Sequence, residues 1–230
     1  MRYGSISINK GIQELTDKGV NEITVLPLYP HYAMSSYESV VVKVDEEISK
    51  NFSDIKTNII PAFYNDKLYL KTLVNQIKSH LEKIDYDHIL FSYHGIPESH
   101  IRISDPTNYH CKINSCCDKC SVAHNTCYRH QVFQTTKSIV KQLGIKEGTY
   151  SNAFQSRLAN EPWLKPYTDS ELERLAKEGV KKMVVITPAF VTDCLETLEE
   201  IAMEAKEEFI EAGGEQFHYI PVSYTHLRAH

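Results

Sequence analysis

An apolar run of β-forming residues, Ile89 to Tyr93, ends abruptly at His94, and the residues that follow do not allow the strand to continue. Gly95 and Pro97 break the extended pattern, because proline lacks the backbone N–H of a central ladder and both residues favour turns. In an open α/β sheet, ligands bind at the loops that follow the carboxyl ends of the strands. His94 is therefore a candidate catalytic residue, although a histidine that only caps the strand fits the same pattern.

Segments with strand-like and helix-like patterns alternate along the whole chain. Strands are predicted at residues 22–28, 55–63, 89–93, 150–154, 182–187 and 216–220, with helices between them. This alternation predicts an α/β protein whose parallel sheet is covered by helices on both faces. A domain boundary is predicted near residues 51–54, between the second helix and the strand that follows.

The composition excludes some classes of function. The 230 residues carry a formal net charge of -5 and contain no block of Lys and Arg, which argues against a nucleic-acid surface. There is no apolar run long enough for a membrane span, and the first residues do not form a signal peptide. A reducing cytoplasm is the expected location.

Six cysteines are distributed unevenly, since five of them lie in one short polar segment. The five are Cys111, Cys116, Cys117, Cys120 and Cys127, and three histidines (His110, His124 and His130) lie close to them in the sequence. Clustered thiols in such a chain favour metal chemistry over a disulfide framework, and exposed thiols at this density would oxidise. Thiolates are soft ligands, so the segment predicts zinc or an iron–sulfur cluster. Four ligands suffice, with Cys116 or Cys117 as the spare thiol, and Cys194 is interpreted as a packed thiol.

A second group of polar residues follows the strand at 182–187. Asp193 and Glu196 lie in the next turn, and Glu200 and Glu204 continue at four-residue intervals along a predicted helix at 195–212. The apolar residues Leu195, Leu198, Ala202, Ala205 and Phe209 lie on roughly the opposite side, so a solvated acidic face is one interpretation. A π-bulge would turn the carboxylates inward, and such bulges cluster at functional sites. An imidazole that faces carboxylates suits proton removal or binding of a divalent metal.

Aromatic residues also occur in the loops predicted at the edge of the sheet. They are Tyr29, Tyr32, Tyr93, Trp163 and Phe190. Together they could line a pocket for a large, flat, apolar ligand, although each alone is compatible with ordinary packing.

Several of these stretches occur together in one known family. They are Arg2-Tyr3-Gly4, the segment 26–32 (Leu-Pro-Leu-Tyr-Pro-His-Tyr), the segment 91–97 (Phe-Ser-Tyr-His-Gly-Ile-Pro), the segment 154–157 (Phe-Gln-Ser-Arg), the segment 162–166 (Pro-Trp-Leu-Lys-Pro) and the segment 192–198 (Thr-Asp-Cys-Leu-Glu-Thr-Leu). With these motifs in this order, the chain resembles the ferrochelatases, which insert ferrous iron into a porphyrin in haem biosynthesis. The resemblance implies two Rossmann-like parallel-sheet domains with a cleft between them. The first, incomplete domain would comprise residues 1–53, and the second would comprise 54–217 with a Cys-rich insertion at about 99–127. Residues 218–230 would be a return segment and a tail that departs from the family after residue 221.

The resemblance also assigns roles to residues. His94 would accept pyrrole protons, Glu196 would face it across the macrocycle, and both would contact the substrate iron, while Asp193 would support the site. Glu200 and Glu204 would form an acidic row along a π-distorted helix. Arg2, Tyr3, Tyr29 and Trp163 would contribute to binding of the porphyrin. The porphyrin, protoporphyrin IX or coproporphyrin, would be bent so that its pyrrole nitrogens tilt out of plane.

The resemblance leaves several alternatives open. Some ferrochelatases hold a [2Fe–2S] cluster in an internal insertion, which residues 111–127 resemble, so such a cluster is preferred here over zinc. Peripheral membrane contact is a further expectation. A porphyrin or metal carrier without turnover, a cobalt chelatase on the same fold, and a zinc-stapled structural protein are the competing interpretations.

Overall fold

The computed structural model describes residues 6–113, 115–158 and 161–222. It divides into two compact units, residues 1–63 and residues 64–230. Both units contain parallel β-strands that alternate with helices, which is the α/β class that the sequence predicts. Within the described ranges, no helix has the length and apolar character needed to span a bilayer.

The first unit is a small parallel α/β layer. It contains α1 (Ile8–Thr16), β1 (Glu22–Val25), the π-helix π1 (Met34–Glu38), α2 (Ser39–Asn51) and β2 (Lys56–Ile59). The two strands pair in parallel, with Glu22 opposite Lys56 and Val25 opposite Ile59. Because β2 belongs to this sheet, the unit extends to Phe63, ten residues beyond the boundary predicted at 53/54.

The second unit contains the larger sheet. Its elements are α3 (Lys67–Leu81), β3 (His88–His94), α4 (Glu98–Ile103), α5 (Tyr128–Leu143), β4 (Tyr150–Gln155), α6 (Thr168–Lys177), β5 (Lys182–Ile186), α7 (Leu195–Leu198), the π-helix π2 (Glu200–Ala205), α8 (Lys206–Glu211) and β6 (Gln216–Tyr219). The strand order is β4-β3-β5-β6, and all pairs are parallel. Because β6 pairs with β5, the start of the predicted 218–230 return segment is part of this sheet, while residues 223–230 lie outside the described ranges.

The centre of the second unit is β3, which lies between β4 and β5. Its residues from His88 to Tyr93 are all buried, and only His94 at its carboxyl end is partly exposed. A strand covered on both faces needs a continuous apolar run, which explains the pattern in the sequence. The packed residues on one face include Leu90, Leu172 and Phe209.

The helix predicted at 195–212 is interrupted by π2. The backbone N–H of Glu204 donates to the carbonyl of Glu199 at 2.9 Å, a five-residue spacing that inserts an extra residue into the turn. The inserted residue rotates the helix surface, so only the later part of the apolar stripe predicted from a regular helix is buried. Leu195 and Leu198 are 69% and 51% exposed, respectively. Ala205 and Phe209 from the same predicted stripe are buried, and so is Ile201, which was not part of it.

Candidate active site

His94 ends β3 with its imidazole held in a defined tautomer. Its Nδ1 lies 2.6 Å from the carbonyl oxygen of Gly95. A carbonyl oxygen can only accept, so Nδ1 carries the proton and Nε2 of the neutral ring keeps its lone pair. The Tyr128 hydroxyl donates to the His94 carbonyl at 2.8 Å, and the ring of Phe190 lies 6.4 Å away between centroids. His94 therefore presents a base or a metal ligand at the carboxyl edge of the sheet.

The turn after His94 depends on a close approach at Gly95. A Cβ at this position would lie 2.9 Å from the carbonyl oxygen of Gln155 and 3.1 Å from the Trp163 ring. The turn is fastened to the Trp163 loop by two backbone hydrogen bonds, from Leu164 to Ile96 and from Glu98 to Pro162. Trp163 itself is only 8% exposed, so in this structure it supports the turn that carries His94.

Glu196 lies in α7, the short helix that follows β5, and β5 is a neighbour of β3 in the sheet. The Cys194 thiol donates to the Glu196 carboxylate, and this bond lowers the pKa of Glu196, with help from its own backbone N–H and from electrostatic attraction to the His94 side chain. Burial and the nearby carboxylate raise the pKa of Cys194 to about 11, which keeps the thiol protonated as a donor. His94 and Glu196 thus interact electrostatically, and the carboxylate is held ionised.

Asp193 holds the segment that carries Glu196 through hydrogen bonds to three different parts of the chain. One of its carboxylate oxygens accepts from the Tyr219 hydroxyl at 2.8 Å, from the Thr197 hydroxyl at 3.1 Å and from the Val222 N–H at 3.3 Å. These partners belong to β6, α7 and the segment that follows β6. Asp193 therefore fixes the start of α7, and with it the position of Glu196.

Glu200 is engaged with the end of β4 and is not part of a simple solvated face. Its carboxylate accepts from the N–H and the hydroxyl of Ser156, both at 2.5 Å, and from the Gln155 amide at 3.3 Å. Gln155 also donates to the Glu196 carbonyl at 2.6 Å and accepts from the Ser92 hydroxyl at 2.8 Å. Glu204, one turn further on, is exposed. In the predicted acidic row, Glu200 therefore makes structural hydrogen bonds, whereas Glu204 is exposed to solvent.

The other predicted binding residues differ in their surroundings. Tyr29 is 41% exposed in the first unit. Tyr93 is fully buried, and its hydroxyl pairs with Thr136 at 2.8 Å, so its predicted place in a pocket was wrong. Side chains alternate between the two faces of β3, and both faces are covered, so Tyr93 lies in the packed interior. Arg2 and Tyr3 lie outside the described residues.

The cysteine insertion is built around a buried carboxylate. Asp105 accepts from the backbone N–H groups of Thr107, His110 and Cys111 at 2.8–2.9 Å and from the Thr107 hydroxyl at 2.7 Å. Burial opposes the charge, but the hydrogen bonds from Cys111, Thr107 and His110 outweigh it and lower the pKa of Asp105 to about 2. The loop that carries Cys111 is therefore anchored by an ionised side chain.

Four of the five thiols in the insertion are linked by contacts. Cys127 contacts both Cys111 and Cys117, and Cys117 contacts Cys116. Cys127 also caps α5, where its sulfur accepts from the His130 N–H at 3.4 Å, and a helix N-terminus favours a negatively charged ligand. Cys120 is exposed. The thiols are close enough for a shared metal group, although none of the described His, Cys, Asp and Glu residues form a ready-made site with three or more ligands.

The protonation of these thiols bears on metal binding. Burial and the charge of Asp105 raise the pKa of Cys111 to about 11, and the contact with Cys127 together with burial raises the pKa of Cys117. Both thiols therefore hold their protons at neutral pH in the metal-free protein. A metal must displace these protons, so its binding strengthens as the pH rises.

The three histidines of the insertion stack beside the thiols. The rings of His124 and His130 lie 3.5 Å apart and are nearly parallel, and the His110 ring lies 5.3 Å from that of His124. Burial and the neighbouring imidazoles lower the pKa values of His124 and His130, while bonds to the backbone of Cys116 and Cys117 oppose this shift. The histidines thus support the backbone that presents the thiols.

Sequence reasoning missed several residues that hold the site together. Gln155 and Ser156 lie in one of the family motifs, but nothing in their spacing indicates a bond to Glu200. The Cys194 contact with Glu196 could have been inferred from their two-residue spacing at a helix start. Tyr219 gave no signal, because its partner Asp193 is 26 residues away in the chain.

The fold and the site together define an α/β protein of the chelatase type. A solved structure of SirB from Bacillus subtilis with Fe3+ has a similar fold, with a TM-score of 0.56 and 15% sequence identity over 94% of this chain and 71% of that one. The ferrochelatase family model matches residues 1–228, so the chain belongs to the ferrochelatase family. This match includes most of the 222–230 segment that was expected to depart from the family.

Individual relatives agree with the family match. The chain is 47% identical to the ferrochelatase of Opitutus terrae over 222 residues, which is 96% of this chain and 64% of that protein. It is 41% identical to the ferrochelatase of Stutzerimonas stutzeri over 228 residues, which is 98% of this chain and 67% of that protein. The chain thus spans slightly less than two thirds of the Opitutus protein.

Proposed function

We propose that this protein inserts Fe²⁺ into a porphyrin, protoporphyrin IX or coproporphyrin, as its ferrochelatase relatives are named for doing. The observation that carries the proposal is that His94 ends β3 and Glu196 follows the neighbouring strand β5, so both lie after the carboxyl ends of adjacent strands. The imidazole keeps the Nε2 lone pair available, and the carboxylate is held ionised. A base beside an anion is what an incoming dication and a departing pyrrole proton require.

The reaction exchanges two pyrrole protons for one ferrous ion, with no change in the oxidation state of the iron. His94 Nε2 accepts the two pyrrole protons one after the other and passes each to solvent water, and the imidazolium that forms each time is stabilised by the Glu196 carboxylate. Glu196 also attracts the substrate iron toward the porphyrin ring. Asp193 and Gln155 hold the start of α7, which carries Glu196. Arg2, Tyr3, Tyr29 and Trp163 are proposed to contribute to porphyrin binding, with Trp163 acting by supporting the His94 turn.

An anaerobic assay with the full chain tests this function. Protoporphyrin IX and coproporphyrin are each mixed with Fe²⁺, and haem formation is followed by absorbance. The His94→Ala variant should lose iron insertion while it still binds porphyrin. The Glu196→Gln variant should insert iron at least about tenfold more slowly, which corresponds to a barrier higher by about 1.4 kcal/mol. The matched controls, His100→Gln on α4 and Glu215→Gln on the surface, should keep the rate of the unmodified chain.

The same assay separates the competing functions. Porphyrin binding without metallation by the unmodified chain would indicate a carrier, and preference for Co²⁺ over Fe²⁺ in direct competition would indicate a cobalt chelatase. Near-normal turnover by the His94→Ala variant would contradict the role of the imidazole.

We also propose that the insertion at residues 111–127 binds a [2Fe–2S] cluster, with zinc as the alternative. The donor set fits either group, because four thiols lie in contact and a fifth is nearby. Cys111, Cys117 and Cys127 form the connected centre, so the fourth ligand is either Cys116 or Cys120. When bound, such a group would cross-link the insertion, and Asp105 and the three histidines would hold the loop in place around it.

Anaerobic purification tests the cluster proposal. Two iron and two sulfide ions per chain with visible charge-transfer absorbance would support a cluster, whereas a colourless chain with one zinc would support the alternative. Serine replacement of Cys111, Cys117 or Cys127 should abolish loading, and of Cys116 and Cys120 only one should do so. Full loading in the Cys127→Ser variant would refute this ligand set.

The reducing cytoplasm is the proposed location of the protein. Clustered free thiols and a bound iron–sulfur group are both compatible with a reducing compartment. Fractionation of cells with an antibody against the protein would test this location. Peripheral membrane contact stays a prediction that the same fractionation addresses.

A further inference from the structure

Two histidines meet where α3 packs beside β6, away from the residues assigned to iron insertion and from the cysteine insertion. His80 lies in the last turn of α3, and His218 lies in β6. Nδ1 of His80 is 3.2 Å from Nε2 of His218, and the ring centroids are 5.5 Å apart with the planes tilted by 52°. The two residues are 138 positions apart in the sequence, so the contact is formed by the fold alone.

Two imidazole nitrogens at this distance need something positive between them. If neither nitrogen carried a hydrogen, their lone pairs would face each other and repel, so either a proton or a cation must lie between the rings. Both rings are partly buried, and burial disfavours the charged form of an imidazole. The pair is therefore suited both to an N–H···N hydrogen bond and to a metal ion.

The spacing matches a chelate. With metal–nitrogen bonds of about 2.0–2.1 Å and a tetrahedral angle, two ligand nitrogens lie about 3.3–3.4 Å apart. The observed separation of 3.2 Å is close to this value, so a small rotation of the rings would direct both lone pairs at one point. The ring that donates the bridging proton would take its other tautomer, so no net proton is required or released.

A third polar group lies on the same face of α3. Gln76 precedes His80 by one helical turn, and its Nε2 donates to the carbonyl of Pro221, two residues after β6. The Oε1 of the same amide is buried and has no hydrogen-bond partner among the described residues. A buried amide oxygen without a partner is costly, and an ordered water on a nearby metal ion would satisfy it.

We propose that His80 and His218 form a two-imidazole site for a borderline transition-metal dication of the Zn²⁺, Co²⁺ or Ni²⁺ class. Water molecules would complete the coordination sphere. The site lies at a junction between a helix and an edge strand, so a bound ion would tie β6 to α3. This inference does not depend on iron insertion or on the cluster, because it concerns different residues.

Local hydrogen exchange in the full chain tests the site, because it separates this junction from other metal-binding residues. Addition of Zn²⁺ should slow exchange in residues 216–219 by about tenfold, the effect of an ion at about ten times its dissociation constant. His80→Gln and His218→Gln should each remove this protection, and the control His100→Gln on α4 should keep it. Protection that is absent in the unmodified chain, or that persists in both glutamine variants, would overturn the proposal.

A crystallographic measurement keeps the proposal testable if a variant does not fold. Crystals of the unmodified chain soaked in Co²⁺ should show an anomalous peak about 2.0–2.1 Å from both His80 Nδ1 and His218 Nε2. Peaks confined to the cysteine insertion or to the His94 site would show that the pair is a hydrogen bond only.

Discussion

The Glu200 carboxylate holds both the N–H and the hydroxyl of Ser156, a residue whose backbone lies in the left-handed region with φ of 62°. A non-glycine residue in this region is strained and persists only where its surroundings stabilise it. Ser156 directly follows β4, and Glu200 begins π2. The pair therefore joins the end of the sheet to the distorted helix, and Gln155 extends the connection to Glu196.

Replacement of Glu200 by Gln should destabilise the second unit and slow iron insertion. The amide loses the charge that accepts two short hydrogen bonds, and such bonds contribute about 1.5–3 kcal/mol each to stability. Unfolding in urea measures the stability, and Glu204→Gln is the control, since Glu204 is exposed and its replacement should change stability by less than about 0.5 kcal/mol. Equal stability of the two variants would contradict the structural role of Glu200.

Removal of the Cys194 thiol should shift the acid limb of iron insertion to higher pH. The thiol lowers the pKa of Glu196, so in Cys194→Ala the carboxylate would stay protonated up to a higher pH. Cys194→Ser keeps a hydrogen-bond donor at this position, so its acid limb should lie close to that of the unmodified chain. The pH dependence of the iron-insertion rate measures the effect, and identical acid limbs in Cys194→Ala and the unmodified chain would show that the contact does not control Glu196.

Replacement of Gly95 by Ala should destabilise the protein by about 1–3 kcal/mol, the usual cost of overpacking. The new Cβ would lie 2.9 Å from a backbone carbonyl of β4, which cannot move without breaking its 2.8 Å hydrogen bond from the Gly95 N–H. The displaced turn would also carry His94 out of position. Gly11→Ala in α1 is a matched control, because nothing lies within 4 Å of its Cβ, and it should stabilise by about 0.4–1 kcal/mol.

Thermal and urea unfolding of the two alanine variants provide the comparison. Near-equal stability of Gly95→Ala and the unmodified chain would mean that the turn relaxes without cost, and the geometry around His94 would then be less constrained than the contacts indicate.

The sequence predicts the alternation of strands and helices well, because buried parallel strands require continuous apolar runs that are visible without a structure. It predicts the placement of His94 and Glu196 for the same reason, since both follow strands that end at one edge of the sheet. A regular helical period does not predict that Leu195 and Leu198 are exposed, because the extra residue of π2 changes which side chains of the helix face the core. The same holds for the boundary at Phe63, which follows from the pairing of β2 with β1.

For the thiols too, the sequence spacing predicts one part of the site and the side-chain contacts determine another. The spacing of the cysteines indicates a metal group, but it gives equal weight to Cys116 and Cys117 as the spare ligand. In the structure Cys117 contacts Cys127, and its sulfur lies 3.3 Å from the Arg129 guanidinium, so Cys117 is assigned as a ligand. The spare thiol is then either Cys116 or Cys120. Side-chain contacts of this kind arise from packing and cannot be derived from spacing.

The first unit should lose stability as the pH falls below about 6, because of His31. This residue is 2% exposed, and burial lowers its pKa from 6.5 to about 3. Above pH 6.5 the ring is neutral in both the folded and the unfolded chain, so its contribution is complete. Between about pH 6.5 and pH 3 the unfolded chain takes up the proton first, which costs up to about 1.4 kcal/mol of stability per pH unit. Hydrogen exchange in β1 and β2 at a series of pH values measures this slope. The His31→Gln variant should have a shallower slope, and equal slopes would contradict the buried, neutral state of His31.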